Sequence, residues 1–303
     1  MYLHSILFPG QELQNINVLF SFINKNAIIK NTFDESSEYI GYDLRKLIKK
    51  KSQEKINTSK YAKLITLTSS IAMYRVWKSE NKNVPLILAG HSLGEYSALV
   101  CSKSLKFYDA IKLITLRNKL MQESIKNMRG AMNVVIGLQQ YEIEKILKNF
   151  QYTKKISIAC INTKYQIVIS GEQSIVHKVS DVCKKNGAKK IVYLSIHPPS
   201  HCILMKNAAK KFSIILNKTT FKTPIFPVVN NVDAKCETSI LAIRKALTRQ
   251  LYNPVRWTDT IAYLASKNTS IFLEAGLNST LTNLNKFIVA IPSISLNNKV
   301  NSS

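Results

Sequence analysis

Gly90-His91-Ser92-Leu93-Gly94 forms a GxSxG pentapeptide, a spacing that projects a serine hydroxyl from a sharp turn. The flanking glycines let the backbone bend without a Cβ clash. The hydroxyl of Ser92 then stands beside a helix N-terminus, and the amide of Leu93 points to where an oxyanion would form. A glycine-rich turn whose serine merely caps a helix shares this pattern. The flanks favour the nucleophile, because an apolar run over 85–89 precedes the motif and a helical pattern follows it. A serine needs a base. The histidines are His4, His91, His177, His197 and His201, with none later in the chain. An α/β-hydrolase draws its histidine from after the last strands, so the last third of this chain cannot supply one in that order. His201 ends the rigid turn Pro198-Pro199-Ser200-His201, which can aim an imidazole, and His197 competes with it. His91 is expected to point away from its neighbour, and His177 reads as a helix-surface residue.

The elements that must carry these groups follow from periodicity. A short strand is expected from Ser5 into a turn at Pro9-Gly10-Gln11, a helix over 61–77 with Leu64, Leu67, Ile71 and Tyr74 on one face, and a buried strand over 85–89. Helices follow from about Gly94 and over 107–126. The middle reads as strand 131–138, helix 140–149, strand 156–161, strand 166–170, helix 174–185 and strand 190–196, with residues 162–165 joining the paired strands. That β-α-β-β-α-β order is ferredoxin-like. It predicts a compact unit inserted into a larger α/β one. Helices over 204–216, 239–250 and 257–267 and a strand over 270–274 complete the pattern, with Pro224 and Pro227 in a loop.

Composition narrows the function classes. Hydrophobic residues make up 46% of the 303 residues, which excludes a disordered chain, and only 9 glycines and 8 prolines exclude a collagen-like one. The 5 cysteines are odd in number and show no CxxC spacing, which suits reduced, buried thiols in the cytoplasm rather than a disulfide framework or a metal site. No apolar run approaches the ~18–20 residues of a membrane helix, and the N-terminus has no signal-peptide pattern. Lysine and arginine number 43 against 18 acidic residues, a formal charge of +25. The basic clusters are short and scattered through a Lys-, Asn- and Ile-rich chain and carry no nucleic-acid module. Most of the excess reads as compositional drift, with a share available to steer an anionic partner.

Seven ordered segments resemble the malonyl-CoA:acyl carrier protein transacylase family of fatty-acid synthesis. They are Phe8-Pro9-Gly10-Gln11, then Gly90-His91-Ser92-Leu93-Gly94-Glu95-Tyr96-Ser97-Ala98-Leu99, and Leu116-Arg117-Asn118-Lys119-Leu120-Met121-Gln122. Gln166-Ile167-Val168-Ile169-Ser170-Gly171, Pro199-Ser200-His201-Cys202, Asn230-Asn231-Val232-Asp233-Ala234 and Gln250-Leu251-Tyr252-Asn253-Pro254-Val255-Arg256-Trp257 complete the set. The resemblance implies an α/β-hydrolase-like large subdomain with a parallel sheet over 1–127 and 198–303 and a ferredoxin-like small subdomain over 128–197. It implies Ser92 as nucleophile, His201 as general base and then acid, and the carbonyl of Gln250 as orienter of the imidazole. Arg117 would hold a malonyl carboxylate, an assignment that suits the planar fork of a guanidinium. The amides of Gln11 and Leu93 would form the oxyanion hole, with His91 and Asn162 as polar positions near the site. No resident cofactor is implied. The substrate would be malonyl-CoA, the acceptor the phosphopantetheine thiol of an acidic acyl carrier protein, and the acting unit a monomer. Glu12-Leu13 and Leu277-Asn278 depart from the family pattern.

Overall fold

Short apolar runs become parallel strands where helices cover both faces of a sheet. The computed structural model describes residues 3–11, 16–50, 56, 61–81, 83–150, 154–194 and 198–297. The chain opens with β1 (His4–Phe8), α1 (Ile16–Lys25), α2 (Ala27–Ile40), α3 (Leu44–Lys50), α4 (Ala62–Glu80), β2 (Ile87–Gly90), α5 (Gly94–Cys101) and α6 (Phe107–Glu123). It continues with β3 (Gly130–Ile136), α7 (Gln140–Lys148), β4 (Ile156–Thr163), β5 (Gln166–Glu172), α8 (Gln173–Lys185) and β6 (Lys190–Leu194). A 3₁₀ turn (Ile203–Met205) leads into α9 (Lys206–Lys218), β7 (Val228–Val229), α10 (Ile240–Gln250), α11 (Trp257–Ser266), β8 (Ile271–Glu274), α12 (Thr280–Asn285) and β9 (Ser293–Ser295).

Two sheets result. One has five parallel strands in the order β7-β2-β1-β8-β9, and the other has four antiparallel strands in the order β4-β5-β3-β6. The β-α-β-β-α-β succession of the second sheet, with its first and third strands adjacent at the centre, is the ferredoxin-like arrangement. The fold is α/β, a parallel-sheet unit joined to a smaller ferredoxin-like one.

Alternation along the small sheet ties the two together. Ile167 and Ile169 of β5 pack with Val135, Ile143, Val176 and Val179 in the core of the small unit. The intervening Val168, with Met132 and Val134 of β3, turns to the other face and packs against Leu7, Ala89, Trp257 and Phe272. The period-2 pleat therefore assigns one face to a private core and the other to the parallel sheet. A register slip of one residue would exchange them.

Register also brings loops together. Phe8 pairs with Gly90 in parallel, so Gly10 and Gln11 leave the sheet beside His91 and Ser92. Ala89 pairs with Val229 on the other side, so Asn231 leaves beside the same turn. Ligands of open parallel sheets bind at such carboxyl ends of strands.

Several elements differ from the pattern read above. Strand β4 runs on to Thr163, so only Lys164 and Tyr165 form the turn to β5, and Asn162 is a buried strand residue rather than a loop residue. The helix expected over 107–126 stops at Glu123, and the one expected from 204 starts at Lys206 after the 3₁₀ turn. Helices α1, α2 and α3 have no counterpart in the expectations. In α2 the inward face carries Thr32 and Ser36 with Ile29 and Phe33, which dilutes the apolar period. His197 and the Glu12-Leu13 departure lie outside the described residues.

Candidate active site

Ser92 joins β2 to α5 with a left-handed backbone, φ 52°. A non-glycine residue in that region is strained and persists where the surroundings enforce it. The enforcement is visible. A Cβ on Gly90 would meet the backbone of Gly94 at 1.9 Å, and a Cβ on Gly94 would meet Phe8 O at 2.0 Å. Both glycines are needed for close backbone approach, not for a positive φ. Gly94→Ala is accordingly expected to destabilise the protein by about 3 kcal/mol or more, lowering its melting temperature by at least about 5 °C. Calorimetry that finds the melting unchanged would remove the tight strand–helix approach from this account.

Ser92 Oγ lies 2.6 Å from His201 Nε2, and His201 Nδ1 lies 2.7 Å from the carbonyl of Gln250. A carbonyl only accepts, so Nδ1 carries the proton and Nε2 is free to accept from the serine. Gln250 is the last residue of α10, where helical carbonyls lack an internal partner; that vacancy is what the imidazole fills. His201 also sits in left-handed backbone, φ 59°, and is 2% exposed. Burial first, and the positive charge of Arg117 second, pull its pKa down from the ordinary histidine value to about 3. The imidazole is therefore neutral, and able to take a proton, at every pH above that value. Acylation kcat/KM, which reports the free enzyme, is expected to show no loss attributable to His201 between pH 7 and about 4. An acid limb near 6.5 that vanishes with His201 would contradict this.

The turn is held from both flanks. Asn231 Oδ1 accepts from Ser92 N at 2.6 Å, while Asn231 Nδ2 donates to Gly90 O at 2.6 Å. The Gln250 side chain donates to Ser92 O at 3.1 Å and to Glu95 Oε2 at 2.8 Å, and Glu95 Oε2 also accepts from Asn231 N at 3.0 Å. Burial raises the Glu95 carboxyl to about 7, against the opposing pull of these hydrogen bonds and of Arg117.

A cavity of about 470 Å³ opens over Ser92. It is lined by Gln11, Lys63, His91, Leu93, Arg117, Asn162 and His201 among others, so all the expected residues except Gln250, which lies behind the imidazole, border one space. The N–H groups of Gln11 and Leu93 meet no acceptor among the described residues. His91 Nε2 donates to Asn162 Oδ1 at 2.9 Å, and its ring packs against Trp257; it forms the wall and makes no bond to Ser92. Arg117, on α6, is 3% exposed. Its Nη2 donates to Gln250 Oε1 at 3.4 Å, its Nε has no partner, and among the described residues no carboxylate pairs with it. A buried guanidinium without a direct ion pair is costly, and burial lowers its pKa against the opposing pull of Tyr96 and Glu95. Such a group in a cavity suits an anionic ligand. Among the described residues no group of three or more His, Cys, Asp or Glu could hold a metal ion.

Three residues escaped sequence reasoning. Glu95 and Asn231 stand inside quoted segments, but nothing in their spacing marks them as clamps on the turn. Lys63 gives no signal at all, because a lysine in a helix reads as solvated.

Residues 8–287 match the family model described as acyl transferase domain. The chain belongs to that acyl transferase family. This acyl transferase is 49% identical over 303 residues to malonyl CoA-acyl carrier protein transacylase of Buchnera aphidicola subsp. Baizongia pistaciae, covering 99% of this chain and 97% of the relative. It is 42% identical to the Escherichia coli K12 protein of the same name, covering 94% of this chain and 92% of that one. Among solved structures it superimposes on the malonyl CoA-acyl carrier protein transacylase of Coxiella burnetii with a TM-score of 0.94 at 34% identity, covering 99% and 96% of the two chains. It also superimposes on a malonyl-transacylase solved in complex with its type II PKS acyl-carrier protein, with a TM-score of 0.93 at 40% identity over 99% of this chain and 100% of the other.

Proposed function

We propose that this acyltransferase moves a malonyl group from malonyl-CoA to the phosphopantetheine thiol of an acyl carrier protein through an ester on Ser92. One observation carries the reading: the Ser92–His201 pair shares its cavity with a buried arginine that has no carboxylate partner among the described residues. In the first half-reaction Ser92 Oγ attacks the thioester carbonyl as His201 Nε2 takes the serine proton. The N–H groups of Leu93 and Gln11 receive the developing oxyanion, each such donor being worth about 2.7–4 kcal/mol of barrier. Collapse breaks the carbon–sulfur bond, and the imidazolium returns its proton to the departing coenzyme A thiolate. In the second half the carrier thiol gives its proton to His201 and attacks the ester, and the displaced Ser92 oxygen takes that proton back from the imidazolium. The Gln250 carbonyl holds the imidazole in the required tautomer throughout, and Arg117 pairs with the malonyl carboxylate.

A carrier of acidic surface would use part of the +25 charge for steering. Ser92, His201 and Arg117 all come from one chain, which supports a monomer as the acting unit. Among the described residues no helix is long and apolar enough to cross a membrane, and the five cysteines are free, which supports a reducing, cytoplasmic setting. Incubation with malonyl-CoA and a phosphopantetheinylated carrier is expected to yield malonyl-carrier thioester. Steady release of free malonate, with no carrier product, would favour a thioesterase instead.

A further inference from the structure

Lys63 is a cationic residue lining this cavity that the reaction above leaves unused. It stands in the first turn of α4, its Nζ donates to Asn118 Oδ1, and Asn118 is the neighbour of Arg117 on α6. Lys63 and Arg117 line the same space as Ser92. Among the described residues neither has a carboxylate partner. Two cations line one small space, Glu95 acts on Arg117 without forming an ion pair with it, and Lys63 and Arg117 repel each other unless a ligand brings further negative charge. We propose that Lys63 is a second specificity-determining cation of the acyl pocket, facing the same ligand carboxylate as Arg117, so that the site selects a carboxylated acyl thioester with two charges rather than one. The inference rests on the malonyl reading above.

The electrostatics agree in direction. Burial, followed by repulsion from Arg117, lowers the Lys63 ammonium to about 7. Lys63 is then charged below that pH and loses its charge above it, while the guanidinium of Arg117 stays charged. Among the described residues the other titratable groups lining the two cavities are His91, His201 and Cys160 on the Ser92 side and Tyr39, Tyr42, Lys112 and Lys119 on the outer side of Lys63, while Glu95 and Tyr96 on α5 act on Arg117. Glu95 titrates in the same range as Lys63, so a variant is needed to separate them. Lys63 also borders a neighbouring cavity of about 720 Å³ and, among the described residues, is the one that lines both. Lys63→Met keeps most of that wall and removes the charge together with the hydrogen bond to Asn118, whereas Lys63→Arg keeps a cation and donors there.

The experiment measures the ratio of malonyl to acetyl kcat/KM from pH 6 to 8.5 for the wild type, Lys63→Met and Lys63→Arg. The ratio cancels effects of pH on the serine and its base. In the wild type it is expected to fall by about tenfold or more as pH rises through the neutral range. Lys63→Met should show the low ratio at every pH, and Lys63→Arg a high ratio that persists to pH 8.5. A flat wild-type ratio overturns the proposal without any variant. So does a Lys63→Met protein that is acylated normally with an unchanged ratio, or one that keeps the pH slope, which would assign the slope to Glu95. A wild type that malonyl-CoA does not acylate at all removes the malonyl reading itself, a different outcome from malonyl acylation whose selectivity ignores Lys63.

Discussion

His201→Ala is expected to slow acylation of Ser92 by about 10²–10⁴-fold, the usual worth of a positioned proton acceptor. The loss should fall on kcat rather than on KM, because the imidazole acts on the reacting hydroxyl and not on the acyl carboxylate. Rapid-quench measurement of the first half-reaction isolates that step from carrier binding. The geometry makes the prediction specific. Ser92 Oγ has the neutral Nε2 2.6 Å away and no other base bonded to it, since the nearest competitor, His91, is committed to Asn162. If the variant acylates at the wild-type rate, the base is elsewhere.

Arg117→Ala is expected to weaken kcat/KM for malonyl-CoA by about 30- to 5000-fold, the range of about 2–5 kcal/mol for truncating one partner of a buried hydrogen-bonded charge pair. Transfer from acetyl-CoA, which brings no carboxylate, should change far less, so the malonyl-to-acetyl preference collapses. The guanidinium is 3% exposed with a free Nε, and a lysine replacement cannot reproduce its fork. Arg117→Lys should therefore recover only part of the preference. Steady-state competition between the two thioesters reads all of this. An unchanged ratio in Arg117→Ala would take the residue out of acid recognition.

How legible this was depended on range along the chain. The strand–turn–helix around Ser92 lies within about a dozen consecutive residues, so periodicity and two glycines suffice to place it. The β-α-β-β-α-β succession over 130–194 is likewise local in its signals and appears in the structure as an antiparallel sheet of ferredoxin-like order. Strand β7 has only two residues and no period of its own; it exists because β2 pairs with it. Asn231 follows from that pairing, and its role as a clamp on Gly90 and Ser92 spans about 140 positions that no pattern connects. Lys63 was hidden for a different reason. Its side chain reaches the cavity through the packing of α4 against α6, and side-chain type alone argues for the opposite, solvated placement. The family resemblance supplied roles for Arg117 and Gln250 that residue chemistry left open, since an arginine on a helix is by itself an ordinary surface charge.

The central claim is that the Ser92 hydroxyl carries the acyl group between two thiols. Intact-mass spectrometry after brief exposure to malonyl-CoA, without a carrier, tests it most directly. The wild type is expected to gain the mass of one malonyl group and lose it when a phosphopantetheinylated carrier is added, while Ser92→Ala gains none. A wild type that stays unlabelled, or a Ser92→Ala protein that labels as readily, would contradict the account.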